Sequence, residues 1–179
     1  VKEKKGVTLW LTGLSGAGKT TIARILEQRL NERKVSVERL DGDELRTHLT
    51  KDLGYSREDR FTHIQRVTYV ARLLTHHGVV VLASFISPYR EMRLYSRQQI
   101  SSFIEVYVRC PLEECIRRDV KGLYAQAIKG DISDFTGISD PYEEPENSEI
   151  TINTAEETPE ESTRSILQYL ADKGFIPDS

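Results

Sequence analysis

The strand-like run Val7–Thr12 (VTLWLT), the loop Gly13-Leu14-Ser15-Gly16-Ala17-Gly18-Lys19-Thr20 and the stretch TIARILEQRLNER over 21–33 follow one another without a break. Together they decide the architecture of the chain. VTLWLT is short, apolar and rich in β-formers, which is the pattern of a strand buried on both faces. From about Lys19 to Arg33, Ile22, Ile25, Leu26 and Leu30 recur at helical spacing and predict a helix with one buried stripe. The loop between them matches GxxxxGK followed by Thr, in the strand–loop–helix context that gives this motif its meaning. Glycine lets the backbone turn and bring its N–H groups against phosphate oxygens, and the helix start adds its positive dipole end. Gly13, Ser15, Gly16, Ala17, Gly18, Lys19, Thr20 and Thr21 are therefore the candidate residues for holding a nucleoside triphosphate. Lys19 would reach the β- and γ-phosphates, and the Thr20 hydroxyl would serve Mg²⁺.

Outward from this loop, strand and helix patterns alternate. Val35–Leu40 reads as a second strand ending in Asp41-Gly42-Asp43, and Ser56 with its following acids reads as the cap of a helix running to about His77. Gly78 ends that helix, and Val79–Ala83 is another buried strand. Pro88 opens an arginine-rich helix, Phe103–Arg109 is a fourth strand, and Pro111 suits the first position of the next helix. Residues from about 119 to 147 are polar, contain Gly122, Gly130 and Gly137 and show no core periodicity, which predicts a mobile flap or lid. Ile150–Asn153 is a last short strand, and Thr158-Pro159-Glu160-Glu161 is a capping box opening a final helix with Ile166, Leu167 and Leu170 inward. This is an α/β pattern, a parallel five-stranded sheet with helices on both faces and one domain over 1–179.

Composition narrows the partners. The 179 residues carry 25 Lys and Arg against 28 Asp and Glu, and residues 140–163 hold nine acidic side chains with no Lys or Arg. A nucleic-acid partner is disfavoured, because phosphate-backbone binding wants a continuous basic face. No apolar run approaches the roughly 20 residues that span a bilayer, so no membrane partner is expected. The N-terminal stretch VKEKKGVTLWL lacks a small-residue cleavage site, which predicts no signal peptide. Cys110 and Cys115 are too close to staple a scaffold and read as small buried hydrophobes in a reducing, cytoplasmic setting.

The carboxylates point to one kind of phosphate-loop protein. No Asn-Lys-x-Asp sequence is present for guanine recognition, and Val79–Ala83 runs on into Ser84-Phe85 where an acidic Walker B end would stand. Asp41 and Asp43 follow the second strand instead, where small kinases place a substrate-side acid. Two residues apart in an extended segment share a face, so both can point at the phosphate loop. Asp43 could accept the proton of an attacking hydroxyl and Asp41 could orient Mg²⁺ through water. Either could also be a turn residue capping a helix at Glu44. The arginines Arg90, Arg93 and Arg97 recur at roughly helical spacing and read as a solvated face.

The motifs LDGDELR (40–46), LGYSREDR (53–60), SFISPYR (84–90), RDVKGLY (118–124) and DFTGISDPYE (134–143) stand in order after the phosphate loop. In this series the chain resembles the adenylylsulfate (APS) kinases over essentially its whole length. The resemblance implies a phosphate-loop kinase fold and transfer of the γ-phosphoryl of ATP to the 3′-hydroxyl of adenosine 5′-phosphosulfate, giving 3′-phosphoadenosine 5′-phosphosulfate (PAPS) and ADP. It implies Asp43 as the acid near the ribose hydroxyl and Arg46 and Arg60 as a guanidinium clamp on the phosphosulfate. Ile86 and Ser87 would hold the substrate edge, and Lys121 would be a lysine of the closing flap. Asp134 and Phe135 belong to the flap motif, and Phe135 with Tyr55 opposite would sandwich the substrate adenine. The family usually has Asn where this chain has His63 and Phe where it has Tyr55. The His63 ring can still donate to a substrate phosphate, and charging it near an anion would raise affinity toward acidic pH.

The resemblance also attaches a phosphoserine intermediate to Ser87, which puts Ser87 beside Asp43 and Lys19 as a catalytic candidate. SFISPYR holds no histidine, however, and no base lies near Ser87 in sequence, so direct in-line transfer is expected with Ser87 as a substrate contact. For the ATP adenine, the loop Thr154-Ala155-Glu156-Glu157 is the candidate, with Glu157 chosen from it. A homodimer, and fusion to or association with an ATP sulfurylase, are partner relations that the resemblance leaves open. Two other readings compete: a kinase of the same architecture acting on a sugar or shikimate-like hydroxyl, and an inactive nucleotide-binding module that regulates a sulfurylase. Phe135 discriminates against the first, and the presence of Lys19, Thr20, Asp43, Arg46 and Arg60 against the second.

Overall fold

The computed structural model describes residues 5–178; of the N-terminal stretch weighed as a leader, residues 1–4 lie outside it. The elements are β1 (Val7–Thr12), α1 (Lys19–Glu32), β2 (Val37–Asp41), α2 (Gly42–His48), α3 (Arg57–His76), β3 (Val80–Ser84), α4 (Arg90–Gln99), β4 (Phe103–Arg109), α5 (Leu112–Arg118), α6 (Leu123–Lys129), β5 (Ile150–Asn153) and α7 (Pro159–Asp172). The strands form one five-stranded sheet in the order β2-β3-β1-β4-β5, and each pairing is parallel. The expected α/β sheet with two helical layers is present.

Alternation along the strands builds the two layers. Leu9 and Leu11 of β1, Leu82 of β3 and Val106 and Val108 of β4 join Ile22, Leu26 and Leu30 of α1 and Ile166 and Leu170 of α7 on one face. The intervening Trp10, Val81 and Ala83 pack with Ile64, Val67 and Ala71 of α3 and Met92 of α4 on the other. A period of two thus buries both faces of every central strand. Local signals set the helix ends as expected. Ser56 Oγ accepts from the Asp59 amide at 3.1 Å, and Thr158 and Glu161 form the reciprocal capping box.

Three sequence expectations change. Asp43 is not in an extended segment. Asp41 is the N-cap of α2, its carboxylate accepts from the Asp43 amide at 3.1 Å, and Asp43 lies in the first helical turn. Residues 119–147 are not wholly without structure of their own, because α6 lies among them and buries Tyr124 and Ala127. Its apolar signal is too short to show as a period. Arg93 is not on a solvated face: it is 2% exposed, pairs with Glu105 at 3.4 Å and donates to the Ser87 carbonyl at 2.6 Å and to the Glu143 carbonyl. A guanidinium on this buried face of α4 is tolerable because each edge of its fork meets an oxygen. Arg97 is half-buried against Glu149, and only Arg90 of the three stands well exposed.

Candidate active site

The C-terminal ends of β1, β3 and β2 open into a cleft of about 440 Å³ that the flap covers from the other side. Its floor is the phosphate loop. Gly16 and Gly18 have φ of 75° and 108°, a region that side chains rarely adopt, and a Cβ on Gly13 would stand 2.5 Å from the Val108 carbonyl oxygen. Two braces absent from the sequence reading hold the loop: the Tyr124 hydroxyl donates to Ser15 O at 2.8 Å, and Thr154 Oγ1 donates to Ala17 O at 2.6 Å. Tyr124 belongs to the RDVKGLY motif, so a signal existed, but its direction toward the loop is a tertiary fact.

Ser15, Gly16, Gly18, Lys19, Thr20 and Thr21 line the cleft, whereas Gly13 and Ala17 lie in the root of the loop behind them. Lys19 Nζ donates to the carbonyls of Gly13 and Leu14 at 2.8 and 2.7 Å. Burial, helped by the nearby Lys121 charge, pushes its pKa down to about 8. Thr20 Oγ1 donates to Asp41 Oδ2 at 3.0 Å. One hydroxyl and one carboxylate beside a phosphate loop suit Mg²⁺, which keeps several waters and takes only one or two protein oxygens beside nucleotide phosphates. Among the described residues no cluster of three or more metal-ligating side chains competes for that role.

Asp43 also lines the cleft, with Lys121 of the flap paired to its carboxylate. The two aspartates therefore meet the phosphate loop, though one does so from a strand end and the other from a helix. Arg46 of α2 reaches back to Gly54 O at 3.0 Å and lays its guanidinium over the Tyr55 ring, 4.3 Å from the centroid. Arg60 of α3 is nearly buried. It donates to Tyr55 O and Thr136 Oγ1, each at 2.7 Å, and to the Asp134 carbonyl, and it pairs with Asp140 at 3.2 Å. Arg60 thus holds the flap backbone as well as facing the cleft.

Phe135 and Tyr55 both line this cleft, Tyr55 with 58% of its surface exposed. Phe135 packs edge-on against Tyr124 with centroids 5.1 Å apart, at the margin of the core, and also lines the cleft. Ile86 and Ser87 also line it, and the Ile86 carbonyl accepts from Thr12 Oγ1 at 2.7 Å. Ser87 has φ 42° and a buried hydroxyl that accepts from Trp10 Nε1 at 3.0 Å and donates to Thr12 Oγ1 at 3.1 Å. Tyr142 of the flap closes the same network through a 2.9 Å bond to Thr12 Oγ1. Glu157 is not among the cleft residues. It accepts from the Asn153 amide at 3.1 Å and from Ser162 Oγ at 2.8 Å, which fixes the loop before α7.

His63 lines the cleft but is only 5% exposed, bonded through Nδ1 to Thr50 Oγ1 at 2.8 Å. Burial, with Arg46 and Arg66 nearby, lowers its pKa to about 4. In the substrate-free protein burial therefore opposes charging of His63, and charging beside a bound anion would have to overcome that cost. The consequence for stability follows from linkage. The unfolded imidazole takes up a proton as pH falls below 6.5 while the folded one does not until about 4, so stability falls across that window. A His63→Gln variant is expected to remove about 1–3 kcal/mol of this acid sensitivity, read from urea unfolding at pH 7 and pH 4.5. An unchanged pH slope would show that other groups carry it.

An ATP-binding loop facing a carboxylate and arginines across a flap-covered cleft, on a sheet of this strand order, defines a phosphate-loop kinase acting on a small anionic acceptor. The adenylylsulphate kinase family profile matches residues 5–153. An adenylyl-sulfate kinase of Halothermothrix orenii is 55% identical over 98% of this chain and 95% of its own length. The APS kinase of Mycobacterium tuberculosis, solved with AMPPNP and APS, superposes with a TM-score of 0.90 at 41% identity, covering 93% of this chain and 98% of that one. A hexameric APS kinase from Thiobacillus denitrificans matches at 34% identity and a TM-score of 0.73, over 97% of this chain and 30% of that one. The chain belongs to the adenylylsulfate kinase family. No helix among the described residues is long and apolar enough to cross a membrane.

Proposed function

We infer that this chain transfers the γ-phosphoryl group of ATP to the 3′-hydroxyl of adenosine 5′-phosphosulfate, producing PAPS and ADP. The observation that carries this reading is the shared cleft. It sets the phosphate loop, Asp43, Arg46, Arg60 and the exposed faces of Tyr55 and Phe135 around one space. A sugar-sized acceptor has no use for the two aromatic faces, whereas an adenine stacks on them for about 1–3 kcal/mol per base.

The chemistry follows from this placement. Asp43 leaves Lys121 and accepts the proton of the 3′-hydroxyl as its oxygen attacks the γ-phosphorus, while the bond to the β-phosphate oxygen breaks and ADP departs. Lys19 turns from the Gly13 and Leu14 carbonyls to the phosphates and neutralises their charge. Thr20 and Asp41 would hold Mg²⁺, which supplies Lewis-acid neutralisation of the triphosphate when bound. Arg46 and Arg60 present guanidinium forks to the phosphosulfate, a geometry matched to tetrahedral anions. His63, neutral, offers hydrogen bonding alone. The Ser87 hydroxyl is committed to Trp10 and Thr12, with no base to activate it, which supports direct transfer over a phosphoserine intermediate. Glu157 acts on the ATP side by holding the Thr154–Glu157 loop against the phosphate loop. The reading extends to a cytoplasmic enzyme built on this domain, with a homodimer and fusion to or association with an ATP sulfurylase as its further partner relations.

A coupled ADP-release assay with Mg·ATP tests this. Turnover is expected with adenosine 5′-phosphosulfate and not with AMP or buffer. Phe135→Ala is expected to raise the substrate KM by about 10-fold, the lower part of a stacking contribution. ATP binding without turnover on the phosphosulfate would overturn the reading.

A further inference from the structure

At the end of β3, Ser84 is 4% exposed, and its hydroxyl has no hydrogen-bond partner in the protein. Buried hydroxyls rarely stay unpaired, so an unpaired one lining a ligand cleft points to a bound group that completes it. The strand pattern says which part of the cleft it faces. Val80 and Leu82 alternate with Val81 and Ala83, and the first pair joins the core beneath α1 while the second joins the opposite core. Ser84 continues the first set, so it stands on the side of the sheet that carries α1 and the phosphate loop. Its partner across the β2–β3 ladder is Asp41, the residue that accepts from Thr20 Oγ1 at 3.0 Å. Its partner on the other side is Leu11, one residue before the end of the strand that leads into the phosphate loop.

The end of β3, beside the strand feeding the phosphate loop, is where the Walker B acid that serves the cation in phosphate-loop NTPases would stand. Here a serine occupies it, and the carboxylate has moved one strand over, to Asp41. We propose that Ser84 is a positioning residue for the hydrated cation of the metal–nucleotide, its hydroxyl bonding the water shell that Asp41 and Thr20 also hold. Asp41 supplies the negative charge and Ser84 supplies direction. A neutral hydroxyl at this point leaves the shell exchangeable and keeps a second carboxylate away from the γ-phosphate.

The inference rests on the kinase reading for its nucleotide but not on the identity of the acceptor, so its test uses no adenosine 5′-phosphosulfate. ADP binding to the full chain is titrated by calorimetry with excess Mg²⁺ and again with a chelator, for wild type, Ser84→Ala and Ser84→Thr. In Ser84→Ala the Mg²⁺-dependent gain in affinity is expected to shrink about 5-fold. Its metal-free affinity and thermal midpoint should hold at wild-type values, and Ser84→Thr should recover most of the gain. A merely structural serine would lower the midpoint or weaken both titrations together. A Ser84→Ala protein with the wild-type Mg²⁺ gain, or one equally weakened with and without metal, overturns the proposal. Failure of the phosphosulfate assay with the Mg²⁺ effect intact would instead count against the acceptor.

Discussion

Asp43→Asn is expected to lower kcat by about 10²- to 10⁴-fold, the usual contribution of a positioned general base, while ATP affinity stays within a factor of a few. The asparagine keeps the shape and the helix position but cannot take the hydroxyl proton. Asp43 is exposed at the mouth of the cleft and its partner Lys121 is half-exposed, so folding should not depend on the pair. Thermal midpoint is therefore the internal control. Asp41→Asn separates the neighbouring carboxylate: it caps α2 and receives the Thr20 hydroxyl, so its loss should show in Mg²⁺ dependence as well as in rate. A kcat for Asp43→Asn within threefold of wild type would remove Asp43 from the mechanism and leave the proton to be taken by another group.

Lys19→Met is expected to lower kcat by about 10²- to 10³-fold, the scale for losing one preorganised group that faces developing charge. Here rate and stability should part company. The ammonium is part-buried at the cleft floor and rests on two loop carbonyls, with its pKa pushed down to about 8 against 10.5 in an unfolded chain. Between pH 8 and 10.5 the unfolded chain therefore binds the extra proton, and wild-type stability rises with pH through that window. Removing the amine removes that rise, on the order of 2–3 kcal/mol, and leaves Lys19→Met at least as stable as wild type at pH 7. Urea unfolding at pH 7.5, 9 and 10 reads the difference, and a parallel pH slope in the variant would contradict it. Triphosphate binding should restore the charge, so calorimetry at pH 8.5 in buffers of different ionisation enthalpy should show proton uptake in wild type and none in the variant.

Much of the fold was legible because its signals are local. VTLWLT, the helix stripe of Ile22, Leu26 and Leu30, the Ser56 and Thr158 caps and the final strand each sit within a few residues of what they specify, and β4 and β5 fall where expected. The flap shows no core periodicity in the sequence because α6 is seven residues long and buries only two of them, too few for a period to register. Arg93 was misread for the opposite reason. Helical spacing says that three arginines share a face but not whether that face meets water, and Glu105 and the Ser87 carbonyl, which make burial tolerable, arrive from other parts of the chain.

The candidate site divides along the same line. Which residues can bind phosphate, hold a cation or take a proton was set by residue type and by motif spacing, because those abilities belong to the side chains and the local backbone. The sequence therefore named a phosphate loop, two aspartates, a guanidinium pair and an aromatic flap residue as candidates, and the structure lines one cleft with them. Which of them are free to act was decided only by the tertiary structure. It ties Ser87 to Trp10 and Thr12, holds His63 neutral by burial, turns Glu157 toward Asn153 and Ser162, and leaves the Ser84 hydroxyl without a partner. Desolvation and hydrogen-bond satisfaction depend on what the rest of the chain places within a few ångströms, and neither can be read along a strand of sequence.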